Sequence, residues 1–138
     1  MARMSPVKRR YLLRVAAAMA VYLVSIFAAD YLIEVRMVSG PLAFGLALLP
    51  GLAMVAFFWA IGMYVLELED EFMRMLLARQ MLIATGFTLS IASVWGMLEQ
   101  FGFVEHVDAY MWVVVWAMGL LVGAAANRIT HGTWGDCW

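Results

Sequence analysis

Four long apolar stretches, 11–35, 42–66, 75–98 and 109–126, take up almost the whole chain. A helix that crosses a bilayer core needs about 20 such residues. Four crossings and their connections use up 138 residues, so no separate soluble domain fits beside them. Hydrophobic residues make up 66% of the chain and charged residues 14%, against roughly 45–50% and about 25% in soluble domains. A water-soluble fold of this size cannot hide so much apolar surface. A soluble enzyme, a nucleic-acid reader and a disordered chain are thereby excluded. Residues 1–138 are expected to form a single integral membrane domain.

The intervals between the stretches carry turn and charge signals. Asp30, Glu34 and Arg36 mark the far end of the first stretch, and Ser39-Gly40-Pro41 reads as a turn. Pro50-Gly51 lies inside the second stretch, where a kink is expected, because neighbouring helices satisfy the backbone groups that proline frees. The interval 67–74 is dense in charge, and 99–108 is a short polar interval with Gly102. The basic start followed by an apolar helix has the look of a signal peptide. The apolar run is too long and lacks a small-residue cleavage site, so it reads as a retained first span.

Lysine and arginine set the orientation of membrane helices. Eight of the nine, namely Arg3, Lys8, Arg9, Arg10, Arg14, Arg74, Arg79 and Arg128, fall on one side of a four-span arrangement; Arg36 alone falls on the other. Both termini and the middle interval are therefore expected to be cytoplasmic. Short connections make successive helices antiparallel neighbours. The expected fold is an all-α membrane protein, an antiparallel up-down-up-down four-helix transmembrane bundle in the inner membrane.

Within this frame a few polar residues need a reason. Glu67, Glu69, Asp70, Glu71 and Arg74 crowd the start of the third helix. Asp70–Arg74 and Glu71–Arg74 have the spacing of helical ion pairs, and acids at a helix start complement its dipole. The block is either a capped, solvated helix start or a cytoplasmic docking surface. A cation site would need more oxygen ligands than the block supplies. Asp70, Arg74, Leu77, Met81, Thr85, Thr88, Ala92, Trp95 and Glu99 step along one helical stripe. Hydroxyls on such a stripe suit a helix–helix interface; the alternative is the lining of a polar path. No ionisable group sits at its mid-depth, which argues against a proton or ion relay.

Gly119 and Gly123 have the G-x-x-x-G spacing that lets backbones approach closely, either within the chain or between copies. Asp30, Glu34, Glu99, Glu105, His106 and Asp108 form an acidic rim on the side opposite the termini. One histidine among them is too few for an expected metal site. The lone Cys137 excludes an internal disulfide and dithiol chemistry, but is placed for acylation beside Trp134 and Trp138. The 12 methionines are scattered as gap fillers. Trp59, Trp95, Tyr110 and Trp112 lie toward span ends, as interfacial anchors do.

The run Glu69-Asp70-Glu71-Phe72-x-Arg74, followed by Thr88 and Trp95-Gly96-Met97-Leu98-Glu99, resembles a group of small four-span bacterial inner-membrane proteins with no assigned function. The specific part covers about thirty residues, and what it implies is topology. Other four-helix families fit poorly. Small multidrug transporters carry a mid-membrane glutamate in the first span, where 15–29 holds no acid; disulfide-generating proteins need cysteine pairs; haem bundles need histidines within the spans.

No enzyme is expected: Ser25, Ser90 and Ser93 have no histidine or lysine at their depth to activate them. No cofactor and no nucleic-acid partner are expected either. The favoured expectation is a non-catalytic accessory or interaction subunit, in contact with the lipid bilayer and with a protein partner or further copies of itself. The alternative is a small oligomeric permease with its path along the third helix and a kinked second helix.

Overall fold

A computed structural model describes residues 5–134. The expectations for Arg3, Cys137 and Trp138 lie outside them. Four α-helices are present, each long and apolar enough to cross a membrane, and there is no strand among the described residues. They are α1 (Pro6–Asp30), α2 (Pro41–Glu67), α3 (Glu71–Gln100) and α4 (Met111–His131). α1 starts at Pro6, ahead of the first apolar stretch, while α4 starts at Met111, inside the fourth stretch, and runs beyond it to His131. Two compact units divide the chain, Met1–Leu68 and Glu69–Trp138.

In the first unit, Ser5 caps α1 by accepting from the Lys8 amide, and Pro6 occupies a first-turn position where no N–H is needed. α1 widens at its far end into a single π-helical turn, Tyr31–Val35. Arg36 folds back there, its Nε donating to the Tyr31 hydroxyl at 3.2 Å. Met37 then takes a left-handed backbone conformation, φ 55°, an uncommon one for a side-chain-bearing residue. Gly40, at φ 78° and ψ −152°, occupies a region open essentially to glycine alone and delivers the chain to Pro41. α2 continues through Pro50 as one helix. Tyr11 near the start of α1 stacks on Tyr64 near the end of α2, ring centroids 4.3 Å apart, so the two helices run antiparallel.

In the second unit, the Asp70 carboxylate caps α3 by accepting from the amides of Phe72 and Met73. α4 ends at Gly132, whose φ of 73° is the left-handed C-terminal stop, and Arg128 donates back to the Gly132 carbonyl. α3 and α4 are antiparallel: Leu76 meets Asn127, Gln80 meets Leu120, and Thr85 meets Trp116.

Burial runs opposite to that of a soluble domain. The buried residues are mostly small or polar: Ala18, Ser25, Ala53 and Ala60 in the first unit, and Gln80, Ala84, Thr88, Ala124 and Asn127 in the second. Large apolar side chains point outward, Val24 at 69% exposure and Leu82 at 73%. Lipid is as apolar as leucine, so in a bilayer small residues that bring backbones together gather between helices.

Candidate functional site

The buried polar residues of the second unit, Gln80, Thr88 and Asn127, lie along one seam. Leu76, Gln80, Ala84 and Thr88 recur every four residues and are the buried residues of α3. Gly119, Gly123 and Asn127 have the same spacing on α4 and are buried with Ala124. Two ridges with four-residue spacing interdigitate, and glycine sets how closely. A Cβ built on Gly119 would lie 2.9 Å from the Ala84 Cα, and one on Gly123 would lie 2.7 Å from the Gln80 carbonyl oxygen. The G-x-x-x-G spacing is thus used within the chain, against α3.

Hydrogen bonds close the seam. The Gln80 amide donates to the Leu120 carbonyl at 2.9 Å, and the Asn127 amide to the Leu76 carbonyl at 3.0 Å. Each acceptor is a helical carbonyl with a second lone pair to give. The Asn127 Oδ1 is buried without a hydrogen-bond partner. Thr88 donates to the Ala84 carbonyl of its own helix at 2.9 Å. Thr85 lies beside the seam, where its hydroxyl accepts from the Trp116 indole at 3.0 Å. At one end Arg79 donates to the Thr130 hydroxyl at 2.6 Å. These are amides, hydroxyls and an indole, with a charge only at the rim. Apart from Thr88, which bonds within α3, they hold the two helices together, and none of the groups inside the seam titrates near neutrality.

The predicted stripe on α3 is therefore only partly the contact face. Thr88 lies on it and Thr85 at its edge. Trp95 and Glu99 belong to a separate cluster at the opposite end from Arg79. The Trp95 indole donates to the Glu105 carbonyl at 3.2 Å, and Glu99 meets His106 Nδ1 at 2.6 Å. Asp108 lies 4.0 Å from His106 Nε2. The hydrogen bond and charge of Glu99, with a smaller contribution from Asp108, raise the pKa of the exposed His106 imidazole. Among the described residues, no three His, Cys, Asp or Glu side chains gather as ligands for a metal ion.

The acidic block has no single job. Glu67 ends α2 and accepts from Arg14 Nη1 at 2.8 Å, with Arg10 Nε 3.8 Å from its other oxygen. Asp70 is the α3 cap, and Glu71 stands in the first turn of α3. Glu69 and Arg74 are exposed. Pro50 and Gly51 lie within α2, and a Cβ on Gly51 would meet nothing within 4 Å, so Gly51 makes no close helix contact.

Gln80, Asn127, and the Arg14–Glu67 pair are not singled out by the sequence reading. A signal for Asn127 is nonetheless there: it continues the four-residue step of Gly119 and Gly123. Gln80 is an amide inside an apolar stretch, a position that needs a partner in lipid. Arg14 and Glu67 are far apart in sequence, and only the antiparallel pairing of α1 with α2 joins them.

No protein-family model, curated protein or solved structure matches the chain.

Proposed function

We propose that this chain is a non-catalytic multi-pass protein of a bacterial inner membrane, an accessory or interaction subunit of a membrane complex. In this reading the helices cross alternately as an up-down-up-down four-helix bundle, with both termini and the 67–74 interval cytoplasmic. The observation that carries it is the fate of the hydroxyls and amides on α3. Gln80, Thr85 and Thr88, which a solute path would need as its lining, are engaged by α4 or by their own helix. Exposed Glu69, Glu71 and Arg74 supply a charged surface at the membrane edge for a partner. The bias of eight basic residues to one supports the orientation, and the resemblance to small four-span inner-membrane proteins supports the compartment.

The test is purification of the chain from its native membranes in mild detergent, followed by native mass spectrometry. The expected result is a second protein, or a defined homo-oligomer, at fixed stoichiometry. Recovery of a lone monomer across several mild detergents would overturn the subunit reading.

One observation favours the permease as a second reading. Pro50 lies within α2 and has no N–H for the carbonyl one turn earlier. Such a weak point is where transport helices bend. Solute flux in vesicles that falls with Thr88→Val would move the assignment to this reading.

A further inference from the structure

We propose that the first unit carries a binding site for one anionic glycerophospholipid. The site is a groove of about 420 Å³ between α1 and α2, walled by Ala18, Val21, Leu52 and Ala53, with Arg14 and Trp59 at one end. The groove follows α1 from Arg14 to Val21, about 10 Å, the length of several acyl methylenes. Its small alanines leave the space, and every wall residue is apolar. That surface suits an acyl chain and offers nothing to a polar solute.

Charge identifies the head group. The Arg14 guanidinium lies 5.4 Å from the Trp59 ring centre, in a cation–π contact, and binds Glu67 through Nη1. A guanidinium has five N–H donors in a planar fork that suits phosphate oxygens. The Arg14 side chain keeps 27% exposure, so it is not sealed from the outside. Arg10 stands one helical turn before Arg14, more than half exposed, and Arg9 beside it is exposed. Arg10 and Arg14 together face the carboxylate of Glu67, which leaves one positive charge in excess among these three groups. Tryptophan and arginine are also the residues that hold position at the head-group level. A lipid seated here places its phosphate at Arg10 and Arg14 and one acyl chain along Val21 and Leu52.

The experiment is native mass spectrometry of the full chain in mild detergent, titrated separately with phosphatidylglycerol and phosphatidylcholine. One phosphatidylglycerol is expected to be retained about fivefold more tightly than phosphatidylcholine, as one unbalanced basic group near an anionic lipid supplies. Ala56 also lines the groove on its α2 side; Ala56→Leu fills the groove from there, leaves the Arg14–Glu67 pair untouched, and is expected to lower retention of both lipids. Arg10→Gln is expected to remove most of the preference and keep the phosphatidylcholine affinity. Helical content of both variants, read by circular dichroism, is expected to match the parent. Equal retention of the two lipids by the parent chain overturns the site. So does an Ala56→Leu variant that binds phosphatidylglycerol as the parent does, or a groove covered by a second copy in a lipid-free dimer.

Discussion

Gly123 has no space for a methyl group. Its Cβ would stand 2.7 Å from the Gln80 carbonyl oxygen and 2.9 Å from the Gln80 Cα. Backbone cannot step aside as a flexible side chain does, so Gly123→Ala is expected to push α4 off α3. Overpacking of this kind costs about 1–3 kcal/mol. Gly96 sits in α3 with open space around it, and Gly96→Ala is the matched control, expected to leave stability unchanged or slightly raised. Reversible unfolding in mixed detergent micelles measures both. Asn127 is the second test at this scale. Asn127→Ala removes the bond to the Leu76 carbonyl, and hydrogen bonds between membrane helices average about 0.6 kcal/mol, up to about 1.7. A loss of about 1 kcal/mol is expected in the same assay. The four-residue step through Gly119, Gly123 and Asn127 is legible in the sequence. Its partner ridge is not, because Leu76 and Ala84 are ordinary apolar residues, and only contact with α4 separates them from the equally apolar Leu77 and Met81.

Each helical hairpin is tied at an end by charge, and the two ties respond differently. The Arg14–Glu67 pair joins α1 to α2, with side-chain exposures of 27% and 18%. A double-mutant cycle of Arg14→Gln and Glu67→Gln is expected to give a coupling of about 1 kcal/mol, the upper end for ion pairs partly open to solvent. The His106–Glu99 contact joins the α3–α4 connection to the end of α3. The folded pKa of His106 is raised above its ordinary value near 6.5. The contribution of the charged pair is therefore complete below pH 6.5 and is lost as pH rises through the raised folded value. Hydrogen exchange in 101–110 is expected to speed up across that window beyond its intrinsic pH dependence, and His106→Gln is expected to abolish the excess. Element positions are readable from the apolar stretches, the capping Asp70 and the turn at Gly40-Pro41. The π-helical turn at Tyr31–Val35 is not, since it leaves no compositional mark.

On the scale of the whole molecule, four helices are long and apolar enough to cross a membrane, and the outward display of residues such as Val24 and Leu82 suits a bilayer as solvent. In the proposed reading the basic bias sets which way round the helices cross. Reporter fusions at the N-terminus, at the C-terminus and after Leu68 are expected to read as cytoplasmic, and one inserted at Ser39 as exported. An exported reading at either terminus would break the orientation. The four membrane-length helices are legible in the sequence, because each is a long apolar stretch with few charges. Function is less legible, because the hydroxyl stripe on α3 suits a seam and a path equally until its hydrogen bonds are known. The subunit role rests on a closed α3–α4 seam. The most direct test is Thr88→Cys in a Cys137→Ser background, treated in native membranes with a small water-soluble thiol reagent. A sealed seam leaves the introduced thiol unreactive until the protein is denatured. Rapid labelling in the folded protein, slowed by a competing solute, would show that water and solute pass along α3 and would contradict a sealed seam.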